Sequence, residues 1–258
     1  MATFNYEQFQ CCFLNWINQQ QEDLEELVQA LETNPGNEKL QILTEKGIKH
    51  FEEYYEKRAR MWEYDAHSFL SPSWCTSFEN AFLWIGGCRP SLSIRLVYSV
   101  CGSEMDAQLV EFLRGEIKGN LAEISALQLH SINSLHGNTV REEDKLSNTM
   151  ASLQANGYSS FFAHFHFEDI ADEPLAMIAK RACRVGQSGL DLDQAIDAHS
   201  HSLARVLAAA DKLRLNTLKE LMRILSPLQA VDLLVATKKL HLSMHEWGKR
   251  RDKQIGKT

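Results

Sequence analysis

Apolar residues recur at three- and four-residue intervals along almost the whole chain. Phe9, Phe13, Trp16, Ile17, Leu24, Leu27, Val28 and Leu31 fall on one stripe and predict an amphipathic helix. Thr33-Asn-Pro-Gly-Asn37 breaks it with turn residues. A second helix carries Leu40, Leu43, Phe51, Tyr54, Tyr55, Arg58 and Trp62. Ser71-Pro72 or Ser73 is expected to cap a third. Phe82 and Trp84 read as its buried end, and Gly86-Gly87 stops it by taking positive φ. Pro90 suits the first turn of a fourth helix, running to about Cys101-Gly102. From about Glu104 to Gln154 the pattern stays helical, with Gly115, Gly119 and Gly137 as candidate breaks. It sustains no heptad, so no coiled coil is predicted.

Asn156-Gly157 reads as a turn, Glu173-Pro174 as a helix start, and Gly186-Gln-Ser-Gly189 as the loop that ends that helix. Asp191 or Asp193 is expected to cap a helix carrying Leu203, Val206, Leu207, Leu213 and Leu218. Ser226-Pro227 is expected to cap the last, ending near Arg250. No run alternates β-branched residues with polar ones. The prediction is therefore all-α, a single multi-helix bundle of about eight to ten helices. Residues 4–251 are expected to form one globular unit and 252–258 a basic tail, since no Pro- or Ser-rich linker divides the chain.

The chain has 258 residues, 44% hydrophobic and 24% charged, a composition that folds rather than one that stays disordered. No apolar run reaches the ~20 residues a membrane span requires. Met1-Ala-Thr-Phe-Asn-Tyr-Glu7 does not read as a signal peptide. Cys11, Cys12, Cys75, Cys88, Cys101 and Cys183 have no framework spacing and read as reduced thiols of an intracellular protein. A net charge of -7 argues against bulk affinity for nucleic acid.

Candidate chemistry is sparse. No phosphate-cradling glycine loop and no nucleophile elbow occurs, so no enzyme is predicted. Asp23-Leu-Glu-Glu26, Glu52-Glu53 and Glu142-Glu-Asp144 read as solvated helix faces. Arg89 is expected to cap carbonyls or pair with an acid of a neighbouring helix. His164 and His166, like His199 and His201, are two apart, a spacing that sends their rings to different helical faces and suits no shared metal. His241 and His245 are four apart and share a face beside Leu233, Ala236, Leu240, Met244 and Trp247. Spacing alone favours boundary histidines; a metal or haem iron is the sharper alternative. Lys249-Arg-Arg-Asp-Lys253 reads as a solvated basic helix end or a nuclear-import patch.

Three segments together carry a resemblance: Phe82-Leu-Trp-Ile-Gly-Gly-Cys-Arg-Pro-Ser91, Ser71-Pro-Ser-Trp-Cys75 and Thr139-Val-Arg-Glu-Glu-Asp144. The chain resembles the plant delay-of-germination family, whose domain is shared with the C-terminal half of TGACG-binding bZIP transcription factors. The resemblance implies a non-enzymatic regulator of seed dormancy and abscisic-acid signalling in nucleus and cytoplasm. It implies binding and inhibition of clade A type 2C protein phosphatases, and haem held through His241 and His245. Two rings one turn apart hardly admit a porphyrin between them, so one is expected to ligate iron and the other to assist, with an apolar slot opening at Gly248.

Phe13, Leu14, Trp16 and Ile17 resemble the family's phosphatase-binding segment. Cys11-Cys12 departs from the founding member's residues there, and for most of the segment a helix packing its Trp16 stripe inward is the competing reading. Calmodulin, bZIP partners and self-association are the remaining implied contacts. The basic region and zipper of the bZIP factors are not found, so specific DNA binding is not expected.

Overall fold

The structure, a computed structural model, describes residues 2–33, 35–112, 121–156 and 189–256. Seven α-helices and no extended strands are found among these residues. They are α1 (Ala2–Thr33), α2 (Asn37–Asp65), α3 (Ser77–Ala81), α4 (Ser91–Phe112), α5 (Ala126–Asn156), α6 (Gly189–Ile224) and α7 (Pro227–Gln254). Short 3-10 turns follow α2 and precede α5. The architecture is all-α, as the periodicity predicts.

Caps explain several boundaries. Ser226 accepts from the Gln229 amide while the Gln229 side chain accepts from the Ser226 amide, and Pro227 sits in the first turn of α7. Thr76 and Glu79 form the same reciprocal box on α3. The third helix thus starts after Thr76, not at Ser71 or Ser73, because only Thr76 has a Glu at the third helical position. It ends at Ala81, so Phe82 is exposed rather than a buried helix end, and Trp84 is half-buried. Helix α4 passes through Gly102 to Phe112, and α5 passes through Gly137 without a break. Gly115, Gly119, Glu173-Pro174 and the 186–188 loop lie outside the described residues.

Three apolar clusters fill the spaces between helices. Phe9, Trp62, Phe69, Ile85, Met150 and Leu207 join α1, α2, α5 and α6. Leu27, Leu40, Leu218, Val231 and Leu234 join the other ends of α1 and α2 to α6 and α7. Ile94, Val97, Ile132, Leu221 and Leu233 join α4 and α5 to α6 and α7. Helix α7 contributes to two of them and carries α1 on one side and α3 on another.

Candidate functional site

Residues 84–87 form a tight turn in which Trp84 and Gly87 exchange both backbone hydrogen bonds. Its central residues, Ile85 and Gly86, have φ of 45 and 69. Gly86 takes that conformation freely, whereas the β-branched Ile85 is strained there by about 1–3 kcal/mol. Gly87 does not share the positive φ expected of it; it is glycine because a Cβ would lie 2.9 Å from Arg214 Cζ.

Two buried arginines hold the turn. Arg214 donates to the carbonyls of Trp84, Ile85 and Cys88, and Arg58 donates to that of Gly86 at 2.6 Å. Asp211 pairs with Arg214 and sits 3.5 Å from Arg58 Nε. Burial works against the Arg58 charge, but Asp211 together with Tyr54, Tyr55 and Cys75 outweighs it and the Arg58 pKa is raised. Arg58 also lies over the rings of Tyr54, Trp62 and Phe69. The corner is therefore a structural clamp, in which four backbone carbonyls are met by the two arginines and Asp211 sits against both guanidiniums.

The neighbouring acids have similar duties. Glu143 is buried and accepts from the amide and hydroxyl of Ser91, capping α4 across 52 residues of sequence. Arg89 pairs with it at 4.0 Å, in line with the reading of Arg89 as partner to an acid of a neighbouring helix. Asp23 is buried too, bridging Lys238 Nζ at 2.8 Å and His50 Nδ1 at 2.8 Å. Burial alone would raise the Asp23 carboxyl, but Lys238 and His50 hold it below its ordinary value. Lys238 is 0% exposed, and burial pushes its ammonium pKa down. The reading of Asp23 and Glu143 as solvated thus fails, while Glu52 meets Lys219 at the surface.

Of the sequence-predicted site residues, the structure brings Phe13 of α1 against His245 of α7, and it turns the others elsewhere. Phe13 is buried with its ring edge-on to His245, 5.6 Å between centroids. Trp16 is buried, stacked on Tyr54 at 4.3 Å. Leu14 is 44% exposed, and Ile17 is half-buried beside it. Only these last two belong to the outer face of α1.

His245 is buried and its Nδ1 lies 2.9 Å from Glu79 Oε1. Burial would raise the Glu79 carboxyl, but the bonds from His245 and Thr76 hold it below its ordinary value. His241 is half-buried, and that burial pushes its pKa down to about 4, so it is neutral at pH 7. Gly248 is no opening. It is buried mid-helix, and a Cβ there would lie 2.8 Å from Thr76 Cβ. The expected apolar slot is filled by α3, and the ring of His245 is already committed. As folded, these residues do not fit a haem. Among the described residues no three His, Cys, Asp or Glu side chains converge as a metal ion would require. His199 stacks on His67, while His164 and His166 lie outside the described residues.

A cleft of about 540 Å³ runs between α1 and α2, with Cys11, Cys12, Asn15, His50 and Lys57 among its walls. Burial raises the Cys12 thiol pKa and Lys57 opposes it only in part, so this thiol is not activated. Sequence reasoning also missed Glu79, although Thr76-x-x-Glu79 has the spacing of a capping box and was legible.

The turn clamp, its flanking acids and the α1 segment can now be set against known proteins. A family profile described as "DOG1: Seed dormancy control" matches residues 23–99. Protein DOG1-like 1 of Arabidopsis thaliana is 37% identical over 94% of this chain and 89% of its own length. The chain belongs to the DOG1 family. Protein DOG1-like 3 of the same plant is 35% identical over 98% of this chain and 88% of its own length. Transcription factor TGA6, also from Arabidopsis thaliana, is 26% identical over 86% of this chain but only 57% of its own length. The DOG1 domain is therefore a module that the TGA factors share. Membership makes the chain a plant regulator tied to seed dormancy control. Among the described residues no helix is long and apolar enough to cross a membrane.

Proposed function

We propose that this DOG1 family chain restrains type 2C protein phosphatases by direct binding through the outer face of α1, as a regulator in nucleus and cytoplasm that works without catalysis. The observation behind the reading is the split within one segment. Phe13 and Trp16 are locked in the core, so Leu14 and the edge of Ile17 are presented on a rigid helix. A preorganised apolar contact loses little side-chain entropy on binding. Abscisic-acid signalling and dormancy follow from the phosphatase as target. Haem has no part in this reading, because the His245 ring is held by Glu79 and Phe13.

The test is inhibition of purified type 2C phosphatases by the chain and by its Leu14→Asp variant. The variant should keep the wild-type melting temperature and lose inhibition by about tenfold or more. Full inhibition by a folded Leu14→Asp protein would remove the α1 face from this role.

A second reading has its own support. TGA6 and TGA2 each align with 86% of this chain, so the same fold stands in two kinds of protein. Pairing with bZIP factors is the corresponding function. Capture of TGA-type factors on immobilised chain, undisturbed by Leu14→Asp, would favour it over the phosphatase.

A further inference from the structure

The C-terminal half of α7 carries more apolar surface than the fold covers. Leu240 and Trp247 are 49% and 41% exposed, and Met244 between them is half-buried. These positions recur at helical spacing on the side of α7 turned away from Lys238 and His245. Helix α3 extends the patch. Phe78 packs edge-on to Trp247 with 4.2 Å between centroids and to Phe82 at 4.9 Å, and Phe82 is 52% exposed. The result is a continuous aromatic ledge across two helices. Neither helix requires these rings for its caps, which use Thr76, Glu79 and Ser226.

Two arginines flank the ledge. Arg251 lies over the Trp247 ring at 5.3 Å. Arg250 is on the same side of α7, whereas Lys249 and Lys253 project from its other side. Of the two acids there, Asp252 accepts from the Ser77 amide and Glu246 pairs with Lys249. The whole chain, by contrast, has a net charge of -7. An apolar ledge flanked by two arginines selects a partner that is apolar on one side and acidic beside it. A symmetric pair of copies joined here would set Arg251 against Arg251, so charge disfavours a second copy as occupant.

We propose that the α3–α7 ledge docks an acidic amphipathic helix of a partner protein. Leucine or phenylalanine side chains of that helix lie on Phe82, Phe78 and Trp247, and its carboxylates meet Arg251 and Arg250. This face is separate from the Leu14 face of α1 and does not depend on the phosphatase reading.

The experiment titrates the full chain into a fluorescein-labelled synthetic helix of about five turns, apolar on one face and Glu-rich on the other. Anisotropy reports binding at ~0.05 and ~0.2 M salt. The expected result is saturable binding that weakens with salt and is absent for a scrambled peptide. Phe82→Ser should weaken it by about tenfold, and Arg251→Glu should shift preference to the lysine counterpart of the peptide. Phe82 is the most exposed ring of the ledge, so this variant tests the face without opening the core. Leu14→Asp should leave binding unchanged. Equal binding of the scrambled peptide, or wild-type affinity in a folded Phe82→Ser protein, would overturn the proposal. So would self-association in sedimentation that Phe82→Ser abolishes, which would assign the ledge to a second copy.

Discussion

Arg214 donates to three carbonyls of a single corner while its remaining arm pairs with Asp211. Lysine has one charged nitrogen and no planar fork, so it cannot serve these acceptors together. Arg214→Lys should cost about 2–4 kcal/mol, since it leaves buried carbonyls unpaired. Chemical denaturation would report it as a lower midpoint with the slope unchanged. The two glycines of the corner differ in kind. At Gly86 a Cβ would meet Leu207 Cδ2 at 2.8 Å and the Phe69 carbonyl at 3.0 Å, on a backbone already at positive φ. At Gly87 the nearest atoms it would meet all belong to the Arg214 guanidinium, a side chain and not backbone. Gly86→Ala is therefore expected to lower the melting temperature more than Gly87→Ala. The reverse order would mean that Arg214, not the turn conformation, sets the steric limit.

At the scale of elements, α3 is only five residues long and owes its place to α7. Its capping box rests on Gly248, its Glu79 holds His245, and Asp252 caps its first amide. Gly248→Ala should force α3 outward at a cost of about 1–3 kcal/mol. It should also free His245. Haemin titrated into this variant should develop a Soret shift more readily than in the wild type. Equal behaviour would show that α3 does not guard the histidine, and no shift in either would remove the His241–His245 pair as an iron site.

Much of this level was legible in the sequence. The α7 start followed from Ser226-Pro227, and the structure adds Gln229 as the partner in its capping box. The buried acids were misread because their partners are remote: Asp23 meets a lysine 215 residues away, and Glu143 a serine 52 residues away. A signal did exist. Gln20 and Asp23 continue the stripe of Phe13 and Trp16 one heptad later, where a polar residue implies a buried partner. The core role of Trp16 and the exposure of Leu14 also follow from that stripe, whereas closure of Gly248 by Thr76 could come only from the packed helices.

Across the whole molecule, helices far apart in sequence are joined by titrating groups, and their shifts act in one direction on the acid side. His241 is kept neutral by burial, with its pKa down to about 4 from 6.5, despite Glu79 nearby. Its depressed value means that the unfolded chain takes up a proton first. The stability it reflects is whole above pH 6.5 and is lost as pH falls towards 4. Asp23 and Glu79 are both held below their ordinary values, so their contributions are present above 3.8 and 4.5 and vanish only at lower pH. On the alkaline side, burial raises Tyr54 and Tyr55, which protects the fold until those phenols ionise in the unfolded chain, near 10. The stability curve should therefore fall between pH 6.5 and 5, the window in which the lowered His241 pKa acts. Its share is about 1–3 kcal/mol, discounted for the exposed part of the residue. Thermal melts at pH 7.5 and 5.0 should differ in the wild type and converge in His241→Gln, which keeps a polar side chain but cannot titrate. An undiminished fall in that variant would assign the acid limb to other groups. Convergence would mean that the histidine which the sequence marked for a metal instead sets how this bundle responds to mild acid.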